Sequence, residues 1–171
     1  MSGTVAVTIR PVDPGDVPAL CDLLNEVIRI GGTTAFERPL TVEAFIDQFF
    51  KSQIQISFLV AEAETGELLG FQTLLTHEQL PDDWADIATF ARVGAQAAGI
   101  GRALFAETVT VARRFGLVAI NATIRADNAG GQAYYDAMGF VTYKVDEKVP
   151  LKSGYRVDRI SKGYRVISAE T

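Results

Sequence analysis

The chain has 171 residues, 48% of them hydrophobic, which suits one domain over residues 1–171 with a sizeable core and excludes a disordered polypeptide. A formal net charge of −5 argues against general nucleic-acid binding, and no apolar run is long enough for a membrane span. The N-terminus lacks a signal-peptide pattern and the single Cys21 cannot form an intrachain disulfide, so a cytoplasmic protein with a buried, structural Cys21 is the expectation.

Val5 to Arg10 alternates apolar and polar and ends at Pro11, which reads as an edge-type strand. Asp13 can cap a helix with Pro14 at its first position. Val17, Leu20, Leu24, Val27 and Ile28 give that helix a core face, and Gly31-Gly32 stops it. Residues 33–39 form a loop. Thr41 is the expected cap of a second helix that buries Phe45 and Phe49. Ile56 to Glu62 and Leu68 to Thr76 read as strands joined by the hairpin loop Glu64–Glu67. His77, the only histidine, closes the second of them and is a candidate base or a plain surface residue.

The chain then runs from a β-tolerant stretch, Ala85 to Val93, through Gln96-Ala97-Ala98-Gly99-Ile100-Gly101-Arg102 into a helical pattern at Ile100, Ala103, Leu104, Val111 and Phe115. That helix ends with Arg113 and Arg114 in its last turn and Gly116 after it. Strand, glycine loop and helix start offer bare N–H groups and a positive dipole end to an anion. Three glycine-loop readings compete. Gly94 and Gly99 have P-loop separation, but Ile100 and Gly101 follow where Lys and Ser or Thr belong. A dinucleotide fingerprint fails at Leu104, where its third glycine should stand. Gln-x-x-Gly-x-Gly, from Gln96 to Gly101, remains, with a plain tight turn as its alternative.

Leu117 to Ile124 is nearly all apolar, as a buried parallel strand would be. Asp127 or Asn128 caps a short helix that carries Gly130 and Gly131 and ends at Gly139. Phe140 to Val145 and Tyr155 to Ile160 read as the last two strands, with a loop around Pro150. The order is βααβββαβαββ, an α/β class with one mixed sheet.

Two blocks carry a resemblance. Gln96 to Gly101 is one, and Asn128 through Tyr135-Asp136-Ala137-Met138-Gly139-Phe140 is the other. Together, one strand apart, they resemble the GCN5-related N-acetyltransferase (GNAT) superfamily. The run from Asn25 to Phe45 is similar to its phosphinothricin-acetyltransferase branch. The resemblance implies the GNAT acyl-CoA N-acyltransferase fold, with acetyl-coenzyme A gripped at Gln96, Ala97, Ala98, Gly99, Ile100, Gly101 and Arg102. It also implies that Ala91, Arg92 and Val93 lie beside the pantetheine and that Asn128 bonds it. It places Thr34, Phe36 and Glu37 at the acceptor. Gln96-Ala97 stands where the family often has Arg-Gly, and the Trp of the phosphinothricin branch is missing from Tyr155 to Ile160.

The implied reaction is acetyl transfer to a primary amine by direct attack. A lysine-like amine has a pKa of about 10.4, so a base is useful, and the leaving thiolate must take up a proton. Tyr135 lies at the family's acid position, and Asp86 aligns with a Glu that serves as a base through water. Asp is shorter than Glu, so a solvent-facing strand acid is the other reading of Asp86. Tyr134 reads as packing. No metal is expected, and a homodimer is compatible with the resemblance. The acceptor expected is a small-molecule amine, such as an amino acid or its analogue. The alternatives are a non-catalytic acyl-coenzyme A-binding module, a protein N-terminal or lysine acetyltransferase and, more remotely, a nucleotide-binding oxidoreductase.

Overall fold

The computed structural model describes residues 6–95 and 99–167. Its centre is a seven-stranded sheet in the order β1-β2-β3-β4-β5-β7-β6. The strands are β1 Val7–Pro11, β2 Gln55–Ala63, β3 Leu68–Leu75, β4 Trp84–Ala91, β5 Ala119–Arg125, β6 Val141–Pro150 and β7 Arg156–Arg165. The helices are α1 Val17–Ile30, α2 Val42–Ile46, α3 Ile100–Phe115 and α4 Ala129–Met138. A 3₁₀ turn, Pro14–Asp16, precedes α1, and a π-helical turn, Asp47–Lys51, follows α2. The βααβββαβαββ order is therefore the observed one.

Side-chain alternation divides the sheet into two faces. Phe58, Phe71 and Phe90 point to one face, where they pack with Leu20, Leu23 and Leu24 of α1 and with Phe45 and Phe49. Ala85, Ile87, Ile120 and Ala122 point to the other, under Phe105 and Val109 of α3 and Tyr135 of α4. Ile100 and Leu104 extend this second layer over Leu59 and Ala61. Thr41 caps α2 by accepting from the N–H of Ala44 at 3.1 Å, as its sequence position predicts. Gly116 ends α3 at φ 87°, a conformation that costs glycine nothing.

Two sequence expectations shift, and the strand order is new. The buried stripe of α3 is Ile100, Leu104, Phe105, Thr108, Val109 and Ala112, and Phe115 is 57% exposed. The sheet below fixes the helix's rotation, and one polar residue, Thr108, lies on the buried side. The last two strands are longer than the apolar pattern suggests, reaching Pro150 and Arg165. β6 is almost wholly exposed, so its strand character comes from its ladder to β7 and not from hydrophobic alternation. Finally, β7 inserts between β5 and β6, leaving β6 as the second edge of the sheet.

Among the described residues, the only parallel pair is β4 with β5. It holds for Trp84↔Ala119, Ala85↔Ile120 and Asp86↔Asn121, and then the strands separate although both continue. Past Asp86, one side of β4 faces a gap.

Candidate active site

The gap between β4 and β5 opens into a cavity of about 1310 Å³. In the β3–β4 ladder, Arg92 N–H donates to Leu69 O at 2.8 Å. Antiparallel pairs alternate bonded and non-bonded positions, so the backbone groups of Thr89 and Ala91 point away from β3, into the gap. An extended chain of amides can add there as a strand would. At the far end α3 begins after Gly99, which takes φ 74° and supplies no capping side chain. The first N–H groups of α3 have no partner within the helix. Its first turn holds no acid and carries the exposed Arg102, so the end is strongly positive. A strand edge leading to a positive helix end fits a pantetheine arm followed by a pyrophosphate.

The cofactor residues expected from the sequence divide accordingly. Ala91, Val93, Ile100, Gly101 and Asn128 line the cavity. Gln96, Ala97 and Ala98 lie outside the described residues. Arg92 turns away: its guanidinium pairs with Glu26 at 3.1 Å and Glu67 at 3.3 Å, and its N–H is used by Leu69. Ile100 is 1% exposed and belongs to the core, so only its backbone can serve a ligand. Gly101 has a packing reason for being glycine. A Cβ there would stand 2.6 Å from Cε2 of Tyr134.

Asn128 makes two side-chain bonds within the protein. Its Oδ1 accepts from Gly131 N–H at 2.9 Å as the cap of α4, and its Nδ2 donates to Thr33 O at 3.2 Å. Gly131 is small because the Asn128 side chain lies over it, 2.4 Å from where a Cβ would be.

The loop between α1 and α2 closes one wall. Thr34 and Phe36 line the cavity, and the Thr34 carbonyl accepts from Arg125 Nη1 at 3.1 Å. Arg125 is itself held bidentately by Asp127 at 2.9 and 2.8 Å. Asn25 fixes the loop's other end, donating to Leu40 O at 2.8 Å and accepting from Leu40 N–H at 2.7 Å. Cys21 is buried in the same place and donates to Leu40 O at 3.4 Å; burial pushes its thiol up, as expected of a structural cysteine. Glu37 does not face the cavity. It accepts from both the N–H and the hydroxyl of Ser153 and so clamps the β6–β7 loop to this one.

Asp86 and Tyr135 both line the cavity. Asp86 stands at the last rung of the β4–β5 pair and accepts from Asn121 Nδ2 at 2.8 Å. Burial raises its pKa, and the bond from Asn121 opposes that rise. Asn121 Oδ1 in turn accepts from the Tyr143 hydroxyl. Tyr135 is 7% exposed and packs edge-on against Phe140. Burial holds its pKa well above the usual phenol value, so it stays protonated at neutral pH. Its hydroxyl lies 2.9 Å from Thr89 Oγ1. His77 is exposed at the rim and its Nδ1 accepts from Gln79 N–H at 3.1 Å, which ties it to a turn. Among the described residues, no three His, Cys, Asp or Glu side chains come together as an ion site.

The sequence reading missed Gln72, Thr89, Asn121 and Tyr143. Their signal was weak: single polar residues inside strands chosen for apolar content. Tyr134, read as packing, also donates to Gly101 O at 2.6 Å.

A family model described as acetyltransferase (GNAT) family matches residues 21–140. The chain belongs to the GNAT acetyltransferase family. This acetyltransferase also resembles solved structures that share its fold. A phosphinothricin acetyltransferase from Sinorhizobium meliloti, solved in complex with acetyl-coenzyme A, has 19% identity and a TM-score of 0.80, covering 94% of this chain and 88% of that one. A GCN5-related N-acetyltransferase from Kribbella flavida has 21% identity and a TM-score of 0.80, covering 94% and 98%. A ribosomal-protein-alanine N-acetyltransferase from Brucella melitensis has 23% identity and a TM-score of 0.77, covering 92% and 99%. No curated protein sequence matches the acetyltransferase. Among its described residues, no helix is long and apolar enough to cross a membrane.

Proposed function

We propose that this acetyltransferase moves the acetyl group of acetyl-coenzyme A to the primary amine of a small molecule by direct attack. The observation that carries the reading is one continuous cavity. It runs from the free edge of β4 and the positive start of α3 to a polar end at Asp86, Asn121 and Tyr143. The thioester arm lies along Thr89 and Ala91, and Tyr135 meets the sulfur. Asp86, its basicity raised by burial, takes the amine's proton directly or through water. Tyr135, kept neutral, gives a proton to the leaving thiolate, whose thiol has a pKa of about 8.5. A backbone N–H of β4 that faces the gap stabilises charge on the thioester oxygen.

The anchored loop at Thr34 and Phe36 supports a small acceptor over a protein terminus, because it walls the cavity on the acceptor side. The named Brucella relative keeps a second reading in view, a protein α-amine. Thiol release from acetyl-coenzyme A, followed with a panel of amino acids and small amines and with a panel of N-terminal peptides, separates them. Release with small amines alone is expected. Release with peptides alone would replace the acceptor class. Release with neither, despite acetyl-coenzyme A binding by calorimetry, would make the chain a binding module.

A further inference from the structure

A chain of buried and half-buried polar groups leads from the start of α3 to Tyr135, and the proton directions up to Thr89 follow from one atom. Gly101 O is a carbonyl and can only accept, so the Tyr134 hydroxyl, 2.6 Å away, donates to it. Tyr134 has then no proton for Gln72, so the Gln72 group 3.1 Å from it must be the NH₂. With the amide so oriented, its Oε1 accepts from Thr108 Oγ1 at 2.6 Å, and its second N–H goes to Thr89 Oγ1 at 2.9 Å. Gln72 and Thr108 are both 0% exposed, so no water competes for these bonds. Thr89 already accepts from Gln72. Two phenol oxygens stand near its own proton, and Tyr134 already accepts from Gln72, so the oxygen of Tyr135, 2.9 Å away, is the acceptor left open.

We propose that Gln72 and Thr89 are positioning residues that make the Tyr135 oxygen an acceptor from Thr89 and so leave the Tyr135 proton turned to the cavity. The proposal rests on the reading of Tyr135 as the acid. A tyrosine that donated to Thr89 would have to break that bond before it could protonate a thiolate. One that accepts from Thr89 has its proton already aimed, and the bond from Thr89 strengthens as the phenol oxygen gains negative charge. The chain starts at Gly101, in the first turn of the helix that faces the phosphates. Seating of the coenzyme and orientation of the acid therefore share one rigid unit.

The test is a double-mutant cycle on the full chain, read as kcat and KM with acetyl-coenzyme A and a working amine. Thr89→Val removes the hydroxyl at nearly constant volume. It should lower kcat about tenfold, the scale of one lost bond to a group gaining charge, and leave the KM for acetyl-coenzyme A in place. Thr89→Ser keeps the hydroxyl and should recover most of the loss. In a Tyr135→Phe background, itself slowed at least about tenfold, Thr89→Val should cost nothing more. Full turnover in Thr89→Val, with Tyr135→Phe slow, would overturn the positioning role and leave the acid in place. Additive losses, or failure of Ser to rescue, would also overturn it. Full turnover in Tyr135→Phe would remove the acid itself, and the positioning role with it. Melting temperatures of all four variants, set against the wild type, check that each is folded, because a merely structural Thr89 would move stability and not the kcat cycle.

Discussion

Asp86 occupies the rung where β4 and β5 part, and its titration has a sign that can be tested. An unfolded aspartate has a pKa of about 3.9. In the fold, burial raises it while Asn121 partly opposes the rise. The folded state thus holds the proton to higher pH than the unfolded chain. The favourable contribution is full below the unfolded value and is lost as pH rises through the folded one. Asp86→Asn should therefore melt higher than the wild type at about pH 8, and the gain should shrink toward about pH 4. Its turnover should fall about 100-fold, the lower end of general-base contributions. Equal melting curves at both pH values would mean that burial does not set this carboxyl. Gly101 offers a second residue-scale test. Alanine would favour the helix by about 1 kcal/mol, but overpacking costs about 1–3 kcal/mol. The Tyr134 ring in its way is held at its hydroxyl by Gln72 and Gly101. The clash should win, so Gly101→Ala should lose up to about 2 kcal/mol in urea unfolding.

At the scale of elements, α4 and the α1–α2 loop share Asn128. The side chain caps the helix through Gly131 and anchors the loop through Thr33. Asn128→Ala should cost about 1 kcal/mol for the cap. The loop it releases carries Thr34 and Phe36, which line the cavity. The KM for the amine should then rise more than that for acetyl-coenzyme A in steady-state kinetics. The opposite split would give Asn128 the pantetheine contact that the family resemblance implies. The sequence narrowed the cap to Asp127 or Asn128, since an acid or Asn before a short helix is a local signal, and the structure selects Asn128. The bond to Thr33 was not legible there, because it joins residues whose proximity depends on the whole sheet.

At the scale of the whole molecule, one of the buried layers sets the aromatic rings of the sheet against α1 and α2. Phe71 is 0% exposed and lies 5.3 Å from the Phe58 ring and 5.0 Å from that of Phe90. Phe71→Ala should cost about 3–5 kcal/mol, a large part of the stability of about 5–15 kcal/mol typical of a domain. The urea midpoint should fall accordingly. A loss below about 1 kcal/mol would show that this layer collapses around the hole.

The order of elements, the glycine-started helix, the Thr41 cap, a cap at Asp127 or Asn128 and the two signature blocks were determined by the sequence alone. Each depends on residues within a few positions of one another, where periodicity, capping and turn chemistry act. Tertiary structure alone decided four things: the insertion of β7 between β5 and β6, the parting of β4 from β5 after Asp86, the rotation of α3, and the polar chain from Gly101 to Tyr135. Strand order and register come from hydrogen-bond ladders between distant segments, and β6 shows that such a ladder can make a strand of a mostly exposed, charged sequence. The same distance explains why two expected site residues turn their side chains elsewhere. Arg92 and Glu37 sit at the positions the resemblance names, but Glu26, Glu67 and Ser153 reach them from elsewhere in the chain and hold their side chains away from the cavity. A charge is claimed by whichever partner the fold brings within a few ångströms, and no local pattern records that partner.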